Sequence, residues 1–230
     1  MNLNHDLATP VMGSATAVAQ RNRVLRNTYW LLALSMVPTV LGAWIGVTTG
    51  VLTAMSPMLT LILFMAGAFG LMFAIEKFKN SGVGVALLLA FTLFMGVMLS
   101  RLLAFVLAKG NGGSLVMMAF LGTSAAFFGM AFLSSVVKRD LSNLSRFLFI
   151  GAIGILVVGI ANVFIQSSAL MMTLSVLAIL VFSAFILVDL RRVRDGEETN
   201  YVTATLGVYL SLYNVFQNLL ALFGVLGGDD

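Results

Sequence analysis

Residues 85–99 read VALLLAFTLFMGVML and contain no charged side chain. The stretch lacks the strict alternation of apolar and polar residues that marks a membrane β-strand, so it favours a helix. Extended to residues 82–107, the apolar run exceeds the ~20 residues that a helix needs to cross the hydrocarbon core of a bilayer. This segment therefore predicts a helical membrane protein.

The composition of the whole chain agrees with this segment. Of the 230 residues, 60% are hydrophobic and 10% are charged, whereas soluble domains carry about 25% charged residues. We predict an all-α membrane protein with a flexible tail at 1–27, a transmembrane domain at 28–226 and a short C-terminal tail at 227–230. The seven predicted spans are 28–47, 55–75, 82–107, 114–137, 147–165, 168–188 and 202–226.

The distribution of lysine and arginine predicts the orientation in the membrane. Eleven of the thirteen basic residues fall in the N-terminal tail and in the second, fourth and sixth connections between spans. Because cytoplasmic segments carry the excess of Lys and Arg, the N-terminus should be cytoplasmic and the C-terminus outside. Orientation also accounts for the net charge of +4, so nucleic-acid binding is not indicated.

Several kinds of chemistry are excluded by residue types that the sequence lacks. It has no cysteine, and its single histidine, His5, lies in the predicted tail, which excludes a buried Ser–His dyad and an HExxH zinc site. Aspartyl proteolysis needs two carboxylates that share a proton, but Asp189 and Glu76 lie at the borders of different spans. The chain also lacks a Gly-rich phosphate loop. We therefore expect no enzyme activity, cofactor or metal site.

Charged groups near membrane depth are the main candidates for function. Asp189 closes the sixth span and precedes Arg191 and Arg192. It is either a border acid paired with these bases or a proton-sensitive latch or cation ligand. Arg101, in the third span, either snorkels to the interface or pairs with a polar group inside the bundle.

The seventh span carries a polar stripe. Gly207, Ser211, Asn214 and Asn218 follow helical spacing, which places them on one face that we expect to point into the bundle. This polar interior stripe either forms hydrogen bonds with other helices or lines a hydrated cavity.

Glycines at four-residue spacing predict close helix packing. The two sets are Gly42, Gly46 and Gly50 near the start of the chain, and Gly224 with Gly228 near its end. Such spacing lets helix backbones approach closely in lipid. Packing within a monomer is favoured over homo-oligomerisation, and the oligomeric state stays open.

Several segments together resemble the Bax inhibitor-1 (transmembrane Bax inhibitor motif) family. They are FLGTSAAFFGMAFLSS followed by KRDLSNLSRFL, LLLAFTLFMG in the third span, FSAFILVD at the end of the sixth, and the terminal motifs RNRVLRNTYWLLALS and GEETNYVTATLGVYLSLYNVF. The resemblance implies six helices in three hairpins around a central C-terminal helix. For the bacterial branch it also implies a multi-pass inner-membrane protein that binds the FtsH protease and its HflK–HflC partners as a slowly degraded competing substrate.

The same resemblance implies an alternative function as a pH-sensitive calcium or cation leak. In the wider family, an acid at the end of the sixth span and another in the seventh form a hydrogen-bonded pair. Asp189 matches the first position, whereas the family pattern YLDIINLF aligns with YLSLYNVF, which puts Ser211 at the second. Because a serine does not ionise, the paired acid is incomplete here, which favours the regulatory function.

Overall fold

The computed structural model describes residues 9–137 and 140–227, with side chains from residue 18 onward. Over these residues the chain forms seven α-helices, each long and apolar enough to cross a membrane. This confirms the predicted all-helical class and the seven candidate spans. The helices are α1 (Thr9–Thr49), α2 (Pro57–Phe78), α3 (Gly82–Leu107), α4 (Gly112–Val136), α5 (Ser142–Ile165), α6 (Ser168–Asp195) and α7 (Tyr201–Leu226).

Three helix boundaries differ clearly from those expected, and one of them is the start of α5, at Ser142 instead of residue 147. The first helix begins at Thr9 rather than near residue 28, although the cytoplasmic location of residues 1–27 stays a prediction. The sixth helix continues through the charged residues to Asp195 instead of ending near residue 188. Hydropathy marks where a chain becomes polar, but arginine is a good helix former, so the helix continues through the charged residues. It ends at Asp195 because the next residue, Gly196, has a left-handed φ of 82°.

Helices α1 and α3 make the most extensive contact between helices. A Cβ added to Gly42 would overlap the carbonyl oxygen of Leu93, and one added to Gly96 would overlap that of Thr39. The two backbones therefore touch, as the glycine spacing predicts. Gly46 faces Ser100 in the same contact, which supports packing within the monomer.

Helix α7 packs against α1, α2, α3, α4 and α6. Its two buried tyrosines supply bonds between helices. The Tyr213 hydroxyl donates to the Met95 carbonyl over 3.1 Å, and the Tyr209 hydroxyl lies 2.8 Å from the hydroxyl of Thr39. These bonds attach α7 to both α1 and α3.

Polar residues fasten each end of α7. At its start, Asn200 accepts from the backbone N–H groups of Val202 and Thr203, and its amide donates to the Lys79 carbonyl over 3.1 Å. At its other end, Asn111 donates to the Gly227 carbonyl over 3.2 Å. The start of α7 therefore lies beside the α2–α3 connection, and its end lies beside the α3–α4 connection.

Candidate functional site

The carboxylate of Asp189 faces α7 rather than a neighbouring base. Asp189 is partly buried, and the hydroxyl of Ser211 donates to its Oδ2 over 3.4 Å. Gly207 lies beside the same group, since a Cβ at that position would be 3.3 Å from Oδ2. The absence of a side chain at Gly207 therefore lets α7 approach the acid closely.

The arginines that follow Asp189 have other partners. Arg191 Nε bonds Asp195 Oδ2 over 2.9 Å, and Arg192 Nε lies 3.7 Å from Glu197 Oε2. Within residues 9–137 and 140–227, Asp189 forms no ion pair. The geometry therefore differs from that of a border acid paired with adjacent bases, and the proposed switch role of Asp189 stays a prediction.

The polar stripe of α7 divides into two parts. Gly207 and Ser211 contact Asp189, whereas the amides of Asn214 and Asn218 donate back to carbonyls of α7 one turn earlier, each over 2.8 Å. Both asparagines are partly buried. Since their N–H groups are satisfied within α7, the structure gives no hydrogen bond from these groups to another helix, and a hydrated path along them stays a prediction.

Arg101 is partly buried on α3. No hydrogen bond or ion pair joins it to another residue in the part of the chain that the structure describes. Its proposed pairing with a polar group inside the bundle therefore stays untested. Over the same residues, no cluster of three His, Cys, Asp or Glu side chains is suited to hold a metal ion.

The end of α6 carries a network of charge that links it to α4. Asp195 accepts from Arg191 and also from Nε of Arg194 over 3.0 Å. Arg194 reaches across to the backbone carbonyl of Ser134 near the end of α4. Arg21 of α1 lies over Gly196 at the end of α6, since a Cβ added to Gly196 would come within 2.5 Å of the Arg21 Nε. Helices α1, α4 and α6 therefore meet at this end.

Comparison with known proteins identifies the family. A sequence profile described as "Inhibitor of apoptosis-promoting Bax1" matches residues 21–228, which include six complete helices and most of α1. The chain belongs to the Bax inhibitor-1 family. Asp189 and Ser211 therefore contact each other in a member of this family. These are the two positions to which the resemblance assigned the family's paired acids.

Relatives of this Bax inhibitor-1 protein match along nearly its whole length. A protein of Escherichia coli K12 named "Modulator of FtsH protease YccA" is 36% identical over 214 residues, covering 93% of this chain and 95% of the relative. A protein of Escherichia coli O6:H1 with the same identity and coverage is named "Inner membrane protein YccA". A Vibrio cholerae protein named "Uncharacterized membrane protein" is 35% identical over 211 residues, covering 92% of this chain and 93% of the relative. Together with the seven candidate spans, these matches confirm a multi-pass membrane protein.

The residues that hold α7 to its neighbours were not among those expected from the sequence. Tyr209 of α7 bonds Thr39 of α1, and Tyr213 of α7 bonds Met95 of α3. Their spacing of one helical turn was a usable signal, because buried Tyr hydroxyls nearly always find a partner. The polar residues that join helices therefore lie mainly off the predicted stripe.

Proposed function

We propose that this protein binds and modulates the FtsH protease, with HflK and HflC, in the bacterial inner membrane, acting as a slowly degraded competing substrate. The observation that carries the proposal is the 36% identity, over 93% of this chain, to a relative named as a modulator of that protease. The relative's name describes a modulator rather than a protease. The proposal therefore assigns the protein to regulation by binding.

The helix ends support a common cytoplasmic face. Contacts of Asn200 with Asn80, of Arg194 with Ser134 and of Arg21 with Gly196 gather the second, fourth and sixth connections and the N-terminal part of α1 at one end. The basic residues that predict the cytoplasmic side lie in these same segments. In this orientation the N-terminus lies on the same side of the membrane as a cytoplasmic ATP-driven protease.

The part of α1 that follows residue 23 is anchored in the bundle. Val24 of α1 is buried against Val193 of α6 and Ala204 of α7, and Thr28 is fully buried. Residues 18–23 are exposed and Val24 is buried, so we propose residues 2–20 as the segment that the protease engages. A short segment of this kind gives a protease a handle, while the anchored bundle slows extraction.

Contacts of α7 support the proposed arrangement of hairpins around a central helix. Removing α7 from this position would break contacts with five other helices. A protease that pulls from the N-terminus would have to separate α1 from both α3 and α7 before the rest of the bundle loosens. We propose that this packing makes degradation slow.

Deletion of residues 2–20 tests the proposal. In cells with active FtsH, the shortened protein should persist longer than the parent, and the two should have equal half-lives in cells that lack FtsH. A variant with residues 2–20 in scrambled order is the matched control, since it keeps the length and composition of the handle. If the deletion leaves the half-life unchanged in both backgrounds, the N-terminal handle is wrong. If detergent-solubilised FtsH also fails to co-purify with the tagged parent, modulation by binding is wrong.

The contact of Asp189 with Ser211 favours a second candidate, a pH-sensitive cation leak. The partner of the acid is a hydroxyl, so the element that titrates would be a single carboxylate instead of a pair. The test is cation flux in proteoliposomes, measured about one pH unit either side of neutrality, for the parent and for Asp189→Asn. Flux in the parent that Asp189→Asn changes would support the leak, whereas identical flux in both, or none in either, would reject it.

A further inference from the structure

A cavity of about 480 Å³ opens between the start of α5 and the end of α6. Its wall includes Asp140 and Ser142 just before and at the start of α5, Arg146 one turn later, and Arg191 and Arg192 on α6. Small-molecule sites generally occupy about 300–1,000 Å³, so the cavity is large enough for a polar headgroup. It lies at the end of the bundle where the basic residues gather, apart from the contact of Asp189 with α7.

Two of the three carboxylates that line the cavity, Asp140 and Asp195, accept hydrogen bonds from protein donors, and the third, Glu197, lies 3.7 Å from Arg192 Nε. Oδ1 of Asp140 accepts from the backbone N–H and the hydroxyl of Ser142, over 2.9 and 2.5 Å. These bonds, together with the positive charges of Arg191 and Arg146, lower the pKa of Asp140. Asp195 accepts from two arginines. Both carboxylates are therefore charged and largely satisfied.

Two arginines of the lining have unused donors. Arg146 is exposed and forms no ion pair with any residue in 9–137 or 140–227. The Nη1 atom of Arg191 is buried and has no hydrogen-bond partner in the described part of the chain, which is costly for a guanidinium N–H. A turn of the Arg191 side chain toward the cavity would let an acceptor oxygen there satisfy this N–H, and the first turn of α5 adds partial positive charge on the same side.

We propose that this cavity binds the phosphate group of an anionic phospholipid headgroup. Arginine presents paired N–H donors that match phosphate oxygens, and basic pockets between helices at a membrane border suit anionic headgroups. The outer surface of α5 next to the cavity is apolar, with Phe147 71% and Ile150 69% exposed. Acyl chains can lie on this surface while the phosphate enters the cavity. Free inorganic phosphate offers the same oxygens without the chains, so the two sources are separable.

Thermal unfolding of the purified full-length protein in detergent tests the site. The probes are short-chain phosphatidylglycerol, phosphatidylcholine with the same chains, and inorganic phosphate. We expect phosphatidylglycerol to raise the unfolding midpoint saturably and phosphatidylcholine to raise it much less. Arg146→Gln should weaken the effect of phosphatidylglycerol about tenfold, because it removes one charge-assisted hydrogen-bond donor.

Arg23→Gln is the matched control, since Arg23 is also exposed but lies on α1 away from the cavity. Arg191→Lys keeps the charge and removes the guanidinium fork, so it should also weaken binding; if it does not fold, Arg146→Gln alone decides. Stabilisation by inorganic phosphate that Arg146→Gln weakens would support the phosphate site and assign it to a soluble ligand. Equal effects of the two lipids, equal losses in Arg146→Gln and Arg23→Gln, or no effect of any probe would overturn the proposal.

Discussion

Replacing Gly96 with alanine should loosen the contact between α1 and α3. The new Cβ would overlap the carbonyl oxygen of Thr39 and come within 2.8 Å of its carbonyl carbon and 3.0 Å of the Ala43 backbone nitrogen. All three atoms belong to the backbone of α1, which cannot rotate away as a side chain can. The helices therefore have to separate at this crossing.

The size of the effect follows from the distances. Ordinary contact with a Cβ begins near 3.4 Å, so α1 must shift by about 0.6 Å from α3 to clear the carbonyl carbon and by more to clear the closer carbonyl oxygen. Overpacking of this kind costs about 1–3 kcal/mol. Alanine in place of glycine within a helix returns about 1 kcal/mol through its better helix propensity. The stability of Gly96→Ala should therefore be compared with that of another glycine-to-alanine variant, one that gains helix propensity without a clash.

Gly129 on α4 is such a reference, because nothing lies within 4 Å of a Cβ added there. Thermal unfolding in one detergent should give a lower midpoint for Gly96→Ala than for Gly129→Ala. The difference should be several degrees, at about 2–4 °C per kcal/mol for a chain of this size. Equal midpoints for the two variants would show that the backbones are not in contact at Gly96, and the reasoning about α1 and α3 would be refuted.

Four further substitutions test polar contacts of α7 and the turn that ends α6. With Thr39 donating its proton to the Ser35 carbonyl over 2.8 Å, the Tyr209 hydroxyl donates to Thr39, and it also lies 3.5 Å from the Thr92 carbonyl. Thr39→Val leaves the buried hydroxyl only this longer contact and should cost about 1–3 kcal/mol, and Tyr209→Phe less, about 0.5–1.5 kcal/mol; the reverse order of unfolding midpoints would contradict this assignment. Asn200→Ala removes the acceptor at the start of α7 and should cost about 1 kcal/mol, with Asn143→Ala on the exposed start of α5 as a reference that should change the midpoint little. Gly196→Ala forces a side chain into a left-handed conformation against Arg21 and should destabilise by about 1 kcal/mol or more, so an unchanged midpoint would count against that turn.

The spans were predictable because each depends on a local run of apolar residues. Residues 82–107 match α3 at both ends, since Gly82 follows polar residues and Leu107 precedes a short polar connection. The early start of α1 was not predictable from hydropathy. It depends on helix propensity through polar sequence and on burial of Val24 against α6 and α7, which a single sequence does not reveal.

The candidate site was predictable only in part, for the same reason. Helical spacing predicted that Gly207 and Ser211 share one face, and in the structure the two have a common neighbour in Asp189. The same spacing could not tell that Asn214 would satisfy its amide within α7. The cavity beside Arg191 was beyond reach, because the residues that form its other wall lie about fifty positions earlier in the chain.

The length of α1 has a mechanical consequence. Its 41 residues form one helix about 60 Å long, roughly twice the thickness of the hydrocarbon core, and the backbone contact at Gly42 and Gly96 lies in its second half. A continuous helix transmits tension along its axis. A force applied at Thr9 would therefore make α1 slide past α3 at that contact. Sliding strains many contacts at once, whereas peeling would break them one by one. The resistance of the protein to a pulling motor should therefore depend strongly on the direction of the force.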